Sequence, residues 1–333
     1  MNSNGGFKII GGIADNSFLS RVCKHLDQEP IKADFHRFPD GEVSCTIEES
    51  VRGDIIYVVY SKGSNINDEL MKLMILARTL KSASAKRLVL IMPYMPYCRQ
   101  DKKLKSREPI SARYVMDLFK MSKFDHIIAM DLHNPSIQGF ADIPVDNLTA
   151  APLFIKYIKK NSGVDMDNLM IISPDAGGVK RARDLADFLE ADLAICYKER
   201  KKASEIADMK LLGDVKGKEC YIVDDMTDTC GTLLKACELL KENGATKVHA
   251  IVVHGILSGK ALERLESDSI DSIVVTNSVD VEMKAALLDK IKVIDISNMM
   301  ANAIRRNFKN ESSKPLFSPH TNSYLELAVF GSH

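Results

Sequence analysis

Within residues 221–232 (YIVDDMTDTCGT) an apolar run delivers two adjacent carboxylates, Asp224 and Asp225, followed by Thr227, Asp228, Thr229, Cys230, Gly231 and Thr232. Acids at the carboxyl end of a strand stand where open α/β sheets bind ligands, and a carboxylate pair suits the vicinal 2- and 3-hydroxyls of a ribose. The hydroxyl-rich stretch then opens a helix expected to begin near Leu233. Backbone N–H groups at such a helix start, with threonine hydroxyls beside them, make a pocket for a phosphate dianion. Gly231 lets the backbone approach that ligand closely. A capped turn would account for one or two of these residues. It leaves the double acid and the run of polar side chains unexplained, so the stretch is read as a site for a phosphorylated pentose.

Positioning such a loop takes strands and helices in alternation. Short β-branched runs at 8–10, 55–60, 87–92, 126–130, 169–173, 193–197, 220–223, 248–253, 270–276 and 293–296 alternate with segments of helical period. That rhythm predicts an α/β protein built on mainly parallel sheets flanked by helices. A hairpin is expected over 35–47, turning at Pro39, Asp40 and Gly41. The two halves echo each other, strand, polar turn, amphipathic helix and strand in each, which points to two similar domains. Only the second copy carries acids at the strand end; the first has Tyr60 and Ser61 there.

The whole chain sets limits on this reading. Its 333 residues predict about two domains, and 45 Lys plus Arg balance 45 Asp plus Glu, so no overall field draws it to nucleic acid or a membrane. No secretory signal is evident, and the apolar runs are far shorter than a membrane span. Seven cysteines without a C-x-x-C pair disfavour a zinc site or a disulfide framework, and read as reduced thiols of a cytoplasmic protein.

Other segments carry chemistry of their own. Asp131 and His133 follow the strand expected at 126–130, and Asp175 follows the one at 169–173. Oxygen and nitrogen donors there suit Mg²⁺, which takes a few protein ligands with phosphate oxygens and water. Asp175 also stands where it would cap the helix expected over 179–189. Arg99, Lys102, Lys103, Lys105 and Arg107 form a basic run. Its ordinary reading is a solvated loop; beside a triphosphate, the same cations would close over it.

The loop at 221–232 resembles the phosphoribosyl pyrophosphate loop of the type I phosphoribosyltransferase fold, and the stretch 131–146 (DLHNPSIQGFADIPVD) resembles the signature of ribose-phosphate diphosphokinases of the class I type. FPDGE (38–42), YCRQDKK (97–103), SPDAGG (173–178) and KERKK (198–202) extend the likeness over about residues 8–317. Within the signature, Ala141 departs from the family's usual Phe. The resemblance implies two domains of the phosphoribosyltransferase-like fold: an ATP-side domain at 7–150, a ribose-5-phosphate domain at 151–296, and a segment at about 297–317 packing back on the first. It implies ATP contacts from Phe38, Asp40, Glu42, Arg99, Gln100 and Asp101, with the hairpin serving a neighbouring subunit. Ribose 5-phosphate falls to Asp175, Asp224, Asp225, Asp228, Thr229, Cys230, Gly231 and Thr232, Mg²⁺ to Asp131, His133 and Asp175, and transition-state charge to Lys198 and Arg200. It further implies a homohexamer activated by phosphate and inhibited by ADP, with Ser50, Arg52, Ser84 and Ser312 at the regulatory anion site. Lys314 and Pro315 depart from a family loop richer in hydroxyls, and residues 320–333 extend past the family's usual end. The alternatives are a non-catalytic homologue and a transferase that consumes phosphoribosyl pyrophosphate.

Overall fold

The computed structural model describes residues 6–11, 17–160, 166–199 and 208–316. In the first half the β-branched runs become β1 (Phe7–Gly11), the hairpin β2 (Ala33–Arg37) and β3 (Val43–Ile47), β4 (Ile55–Val59), β5 (Arg87–Met92), β6 (His126–Met130) and β7 (Val145–Leu148). In the second half they become β8 (Leu169–Ser173), β9 (Asp192–Glu199), β10 (Asp208–Leu212), β11 (Glu219–Thr227), β12 (Lys247–Gly255), β13 (Ser272–Thr276) and β14 (Ile291–Ile294).

Two sheets result, ordered β1-β4-β5-β6-β7 and β10-β9-β8-β11-β12-β13-β14, with β2 and β3 apart as a two-stranded ribbon. Every pairing in the large sheets is parallel except β9 with β10. Strands buried on both faces read as continuous apolar runs, which is how β4, β5 and β8 are written.

Side-chain alternation sorts each strand between two cores. Ile9, Tyr57 and Val59 face a core that also holds Tyr221, Val223 and Ile251 of the second sheet, so this layer is common to both halves. Ile10, Ile56 and Val58 face a core confined to the first half, while Ile222, Val252 and Ile273 face one made almost wholly by the second. Each fully buried side chain of this kind contributes about 1.5–3 kcal/mol. The helix Ser297–Lys309 lies in the shared layer against Ser17–His25, where Arg305 donates to the His25 carbonyl at 2.9 Å and Tyr57 Oη donates to Asn307 Oδ1 at 2.9 Å.

The strands depart from the sequence expectation in a few places. β7 and β10 are short edge strands outside the expected set: β7 carries Asp146 and Asn147 at its centre, and Asp208 and Lys210 interrupt the apolar residues of β10. β7 is held partly through side chains: Asp146 pairs with His126 Nε2 at 3.0 Å, and Asn147 Oδ1 accepts from the Leu132 N–H at 3.0 Å. β14 ends at Ile294, two residues before the expected 296, because Ile296 already caps the helix that follows. No helix of the described residues is long and apolar enough to cross a membrane. All seven cysteines are free thiols, six of them buried.

Candidate active site

β11 runs through the acids to Thr227 rather than stopping at them, and the next helix, Gly231–Glu242, starts two residues earlier than expected. Cys230 makes that early start, standing at φ +58° as the helix N-cap. The cavity formed there, about 220 Å³, is lined by Asp175, Asp224, Thr227, Asp228, Thr229, Cys230, Gly231 and Thr232, with Pro174 and Met226. The expected sugar and phosphate residues therefore converge, apart from Asp225.

Neighbours on a strand face opposite ways. Asp224 lines the cavity, whereas Asp225 is 3% exposed and turns to the first half of the chain. There its Oδ2 stands 2.7 Å from His133 Nδ1, while Arg181 Nη1 reaches Asp225 Oδ1 at 3.2 Å and Asp224 Oδ1 at 3.3 Å. Burial raises the pKa of Asp224, and the negative neighbour Asp225 adds to the rise. For Asp225 burial works in the same direction, but the His133 hydrogen bond and the Arg181 charge outweigh it and hold the carboxyl below its ordinary value. The Asp225 hydrogen bond in turn raises His133.

Asp228 also does two things. It lines the cavity, and its carboxylate accepts from Ser258 Oγ and, at 2.8 Å, from Arg99 Nη1. Arg99 belongs to the basic run of the first half and lines a second cavity of about 480 Å³ with Gln100, Tyr94, Tyr97, Ser64, Asn65, Ile66 and Asn67. That cavity uses the polar turn of the first half that corresponds to the acid-bearing turn of the second. The Arg99–Asp228 ion pair thus joins the two cavities. Asp101 does not line either one; its carboxylate accepts from Asn134 Nδ2 at 2.6 Å and ties the basic loop to the segment after β6.

Asp131 stands at φ +40°, with Oδ2 accepting from the Ala150 N–H at 2.7 Å and Oδ1 from Thr149 Oγ1 at 3.2 Å. Asp175 Oδ1 accepts from the Gly178 N–H at 2.9 Å and so ties the turn before the helix Val179–Leu189, whose N-cap is Gly178 rather than Asp175, while it also lines the smaller cavity. Among the described residues no three His, Cys, Asp or Glu side chains converge as a metal cluster. The carboxylates of Asp131 and Asp175 are hard oxygen donors of the kind Mg²⁺ takes beside phosphate oxygens and water. Phe38, Asp40 and Glu42 lie exposed on the β2–β3 hairpin and line neither cavity. That ribbon packs on the helix Ile66–Ser82, where Arg37 pairs with Asp68.

Ser84, at φ +69°, accepts from the Gly53 N–H at 3.0 Å, which brings it beside the turn carrying Arg52. Ser50 lends its carbonyl to Lys8 Nζ at 2.6 Å, and Ser312 lends its own to Arg306 Nη1 at 2.9 Å. Arg200 and the side chain of Lys198 lie outside the described residues; the Lys198 backbone lies in β9 opposite Met209.

Residues 7–122 match the family model described as the N-terminal domain of ribose phosphate pyrophosphokinase, and residues 202–318 match the phosphoribosyl synthetase-associated domain. Ribose-phosphate pyrophosphokinase A of Dictyostelium discoideum is 47% identical over 93% of this chain and 98% of its own length. The chain belongs to the ribose-phosphate pyrophosphokinase family. Ribose-phosphate pyrophosphokinase 3 of Saccharomyces cerevisiae is 48% identical over 93% of this chain and 97% of its own. The crystal structure of phosphoribosylpyrophosphate synthetase from Mycobacterium smegmatis superposes with a TM-score of 0.86 at 38% identity, covering 92% of this chain and 99% of that one. The α/β fold of the pyrophosphokinase family is therefore the fold of this chain, and the resemblance read from its motifs holds over nearly its whole length.

Several residues of the site carry no sequence signal. Arg181 sits on the helix Val179–Leu189, and nothing in its local pattern marks it as the partner of both acids. Arg264 lies 35 residues from Thr229, to whose carbonyl its Nη1 donates at 2.6 Å. Its guanidinium also presses on the loop at Gly231, where an added Cβ would stand 3.3 Å from Nη1. Ser64, Asn65 and Asn67 could have been found through the alignment of the two halves.

Proposed function

We propose that this chain transfers the β,γ-diphosphoryl group of ATP to the 1-hydroxyl of ribose 5-phosphate, giving phosphoribosyl pyrophosphate and AMP. The observation that carries this reading is the pairing of a sugar-phosphate cavity with a second, larger cavity through Arg99 and Asp228. Two substrates held on either side of that ion pair would meet between the sheets. Family membership supplies the second support, since relatives named for this activity match nearly end to end.

In this reading Asp224 accepts hydrogen bonds from the ribose hydroxyls, and the N–H groups of the helix start with Thr229 and Thr232 hold the 5-phosphate. Asp225 acts from behind, orienting the His133 ring through Nδ1 and keeping Arg181 in place. Asp228 orients Arg99 toward the phosphates of ATP, which occupy the larger cavity beside Gln100. Lys198 and Arg200 would take up charge that develops on the transferring group, as the family resemblance implies. A bond forms between the sugar 1-oxygen and the β-phosphorus, the bridge to the α-phosphate breaks, AMP leaves with the bridging oxygen, and the hydroxyl proton is released. Such transfer asks the protein mainly for positioning and charge neutralisation. Asp131, His133 and Asp175 would hold Mg²⁺, which supplies Lewis-acid neutralisation of the phosphate oxygens when bound.

The same membership supports a homohexamer in the cytoplasm, activation by phosphate and inhibition by ADP, with Ser50, Arg52, Ser84 and Ser312 at the anion site and the hairpin residues Phe38, Asp40 and Glu42 serving a neighbouring subunit's ATP. Purified protein incubated with Mg²⁺, phosphate, ATP and ribose 5-phosphate tests the reading. AMP release that requires every component supports it; no AMP under any of these conditions leaves the non-catalytic alternative.

A further inference from the structure

His254, on β12, has no part in the chemistry described above, yet it is 2% exposed and placed between the sheets. Its Nε2 stands 3.1 Å from the Met130 carbonyl at the end of β6, in the other sheet, and its Nδ1 stands 2.8 Å from Ser278 Oγ. A carbonyl only accepts, so Nε2 carries the hydrogen and Nδ1 receives the Ser278 hydroxyl. That one tautomer is held at both ends by these two bonds. It packs edge-to-face with Tyr94, 5.1 Å between ring centres, and Tyr94 lines the larger cavity.

Met130 immediately precedes Asp131, whose left-handed backbone leaves it little freedom to adjust. Asp131 is fastened within its own half, its N–H to the Leu148 carbonyl at 2.8 Å and its carboxylate to Ala150 and Thr149. Two residues on, His133 meets Asp225. The segment 130–133 therefore touches the second half at two points: Asp225 on β11 and His254 on β12, strands that pair with Met226 opposite His254.

We propose that His254 is a positioning residue for diphosphoryl transfer: its cross-sheet hydrogen bond sets the Asp131–His133 segment, and with it the phosphate side, against the sugar cavity. This rests on the proposed function above. Each substrate keeps its own contacts without that bond, so its loss acts on turnover more than on the binding of either substrate.

The two amide substitutions separate this role from packing. In His254→Gln the side-chain NH₂ reaches the place of Nε2 and keeps the donor to Met130. In His254→Asn the amide reaches only the place of Nδ1, keeping Ser278 and losing the cross-sheet bond. Measured per folded enzyme and well below the melting temperature, kcat of the Asn variant is expected to fall about tenfold, as for one lost hydrogen bond, with both KM values within about twofold. The Gln variant should stay within about threefold of the parent. Equal behaviour of the two variants, whether both active or both impaired, overturns the proposal. A parent chain that releases no AMP is instead the failure of the reading on which it rests. The unmodified protein offers a check independent of the variants: a slowly exchanging His254 Nε2–H in the proton spectrum between about pH 5 and 8. Absence of that proton, or its presence on Nδ1, also overturns the proposal.

Discussion

Asparagine at position 225 keeps the shape of a buried side chain and removes its charge, so Asp225→Asn isolates what the carboxylate does. Asp225 Oδ2 accepts from His133 at 2.7 Å and Oδ1 stands 3.2 Å from Arg181. Charge-assisted hydrogen bonds contribute about 1.5–3 kcal/mol each. The His133 side chain is 39% exposed, so solvent screening reduces its bond to about 1 kcal/mol. The pKa of His133 is raised by that bond, so its contribution is whole below the ordinary imidazole value of 6.5 and is lost as pH rises through the raised, folded value. The pKa of Asp225 is lowered, so its contribution is present above the ordinary 3.8 and is lost only as pH falls through the folded value. Between those limits the pair is at full strength. Urea-unfolding free energies of parent and variant at about pH 6 and pH 9 measure this. The gap between the two proteins should shrink by about 1 kcal/mol on going to the higher pH. In the variant the His133 ring should titrate at a lower pH than in the parent. A gap that does not change with pH, together with an unmoved His133 titration, would mean that the Asp225 carboxylate does not hold the proton on His133.

Lys198→Ala should lower turnover by orders of magnitude while leaving ribose 5-phosphate binding close to the parent's; unchanged turnover removes Lys198 from the transition state. Arg264→Ala removes the 2.6 Å bond to the Thr229 carbonyl and frees the phosphate loop, so KM for ribose 5-phosphate should rise about tenfold with KM for ATP little moved. A KM for ribose 5-phosphate equal to the parent's would separate Arg264 from that loop. Gly255→Ala would put a Cβ 2.7 Å from Val275 Cγ1 inside the second sheet. Overpacking of that kind costs about 1–3 kcal/mol, so a thermal melt should shift down by several degrees, and an unshifted melt would mean that the two strands give way freely.

Much of the fold could be read because central parallel strands are written in apolar, β-branched residues, as in IIYVV and LMIIS. The edge strand β7 lacks that mark: Asp146 and Asn147 sit in its middle and are held through their side chains. The cavity-lining run 227–232 was legible because its residues are contiguous. The direction in which Asp225 faces was not, since it depends on β11 running on past the acids and on His133 meeting it 92 residues away in sequence. Arg181, Arg264 and His254 were invisible for the same reason: each acts through a contact that only tertiary packing creates.

In the proposed reaction the attack falls on the β-phosphorus of ATP. With ATP labelled at the γ-phosphate, label and ribose should appear together in one product while the nucleotide leaves as AMP. Formation of ADP, or label released as free phosphate or pyrophosphate without a sugar product, would contradict it.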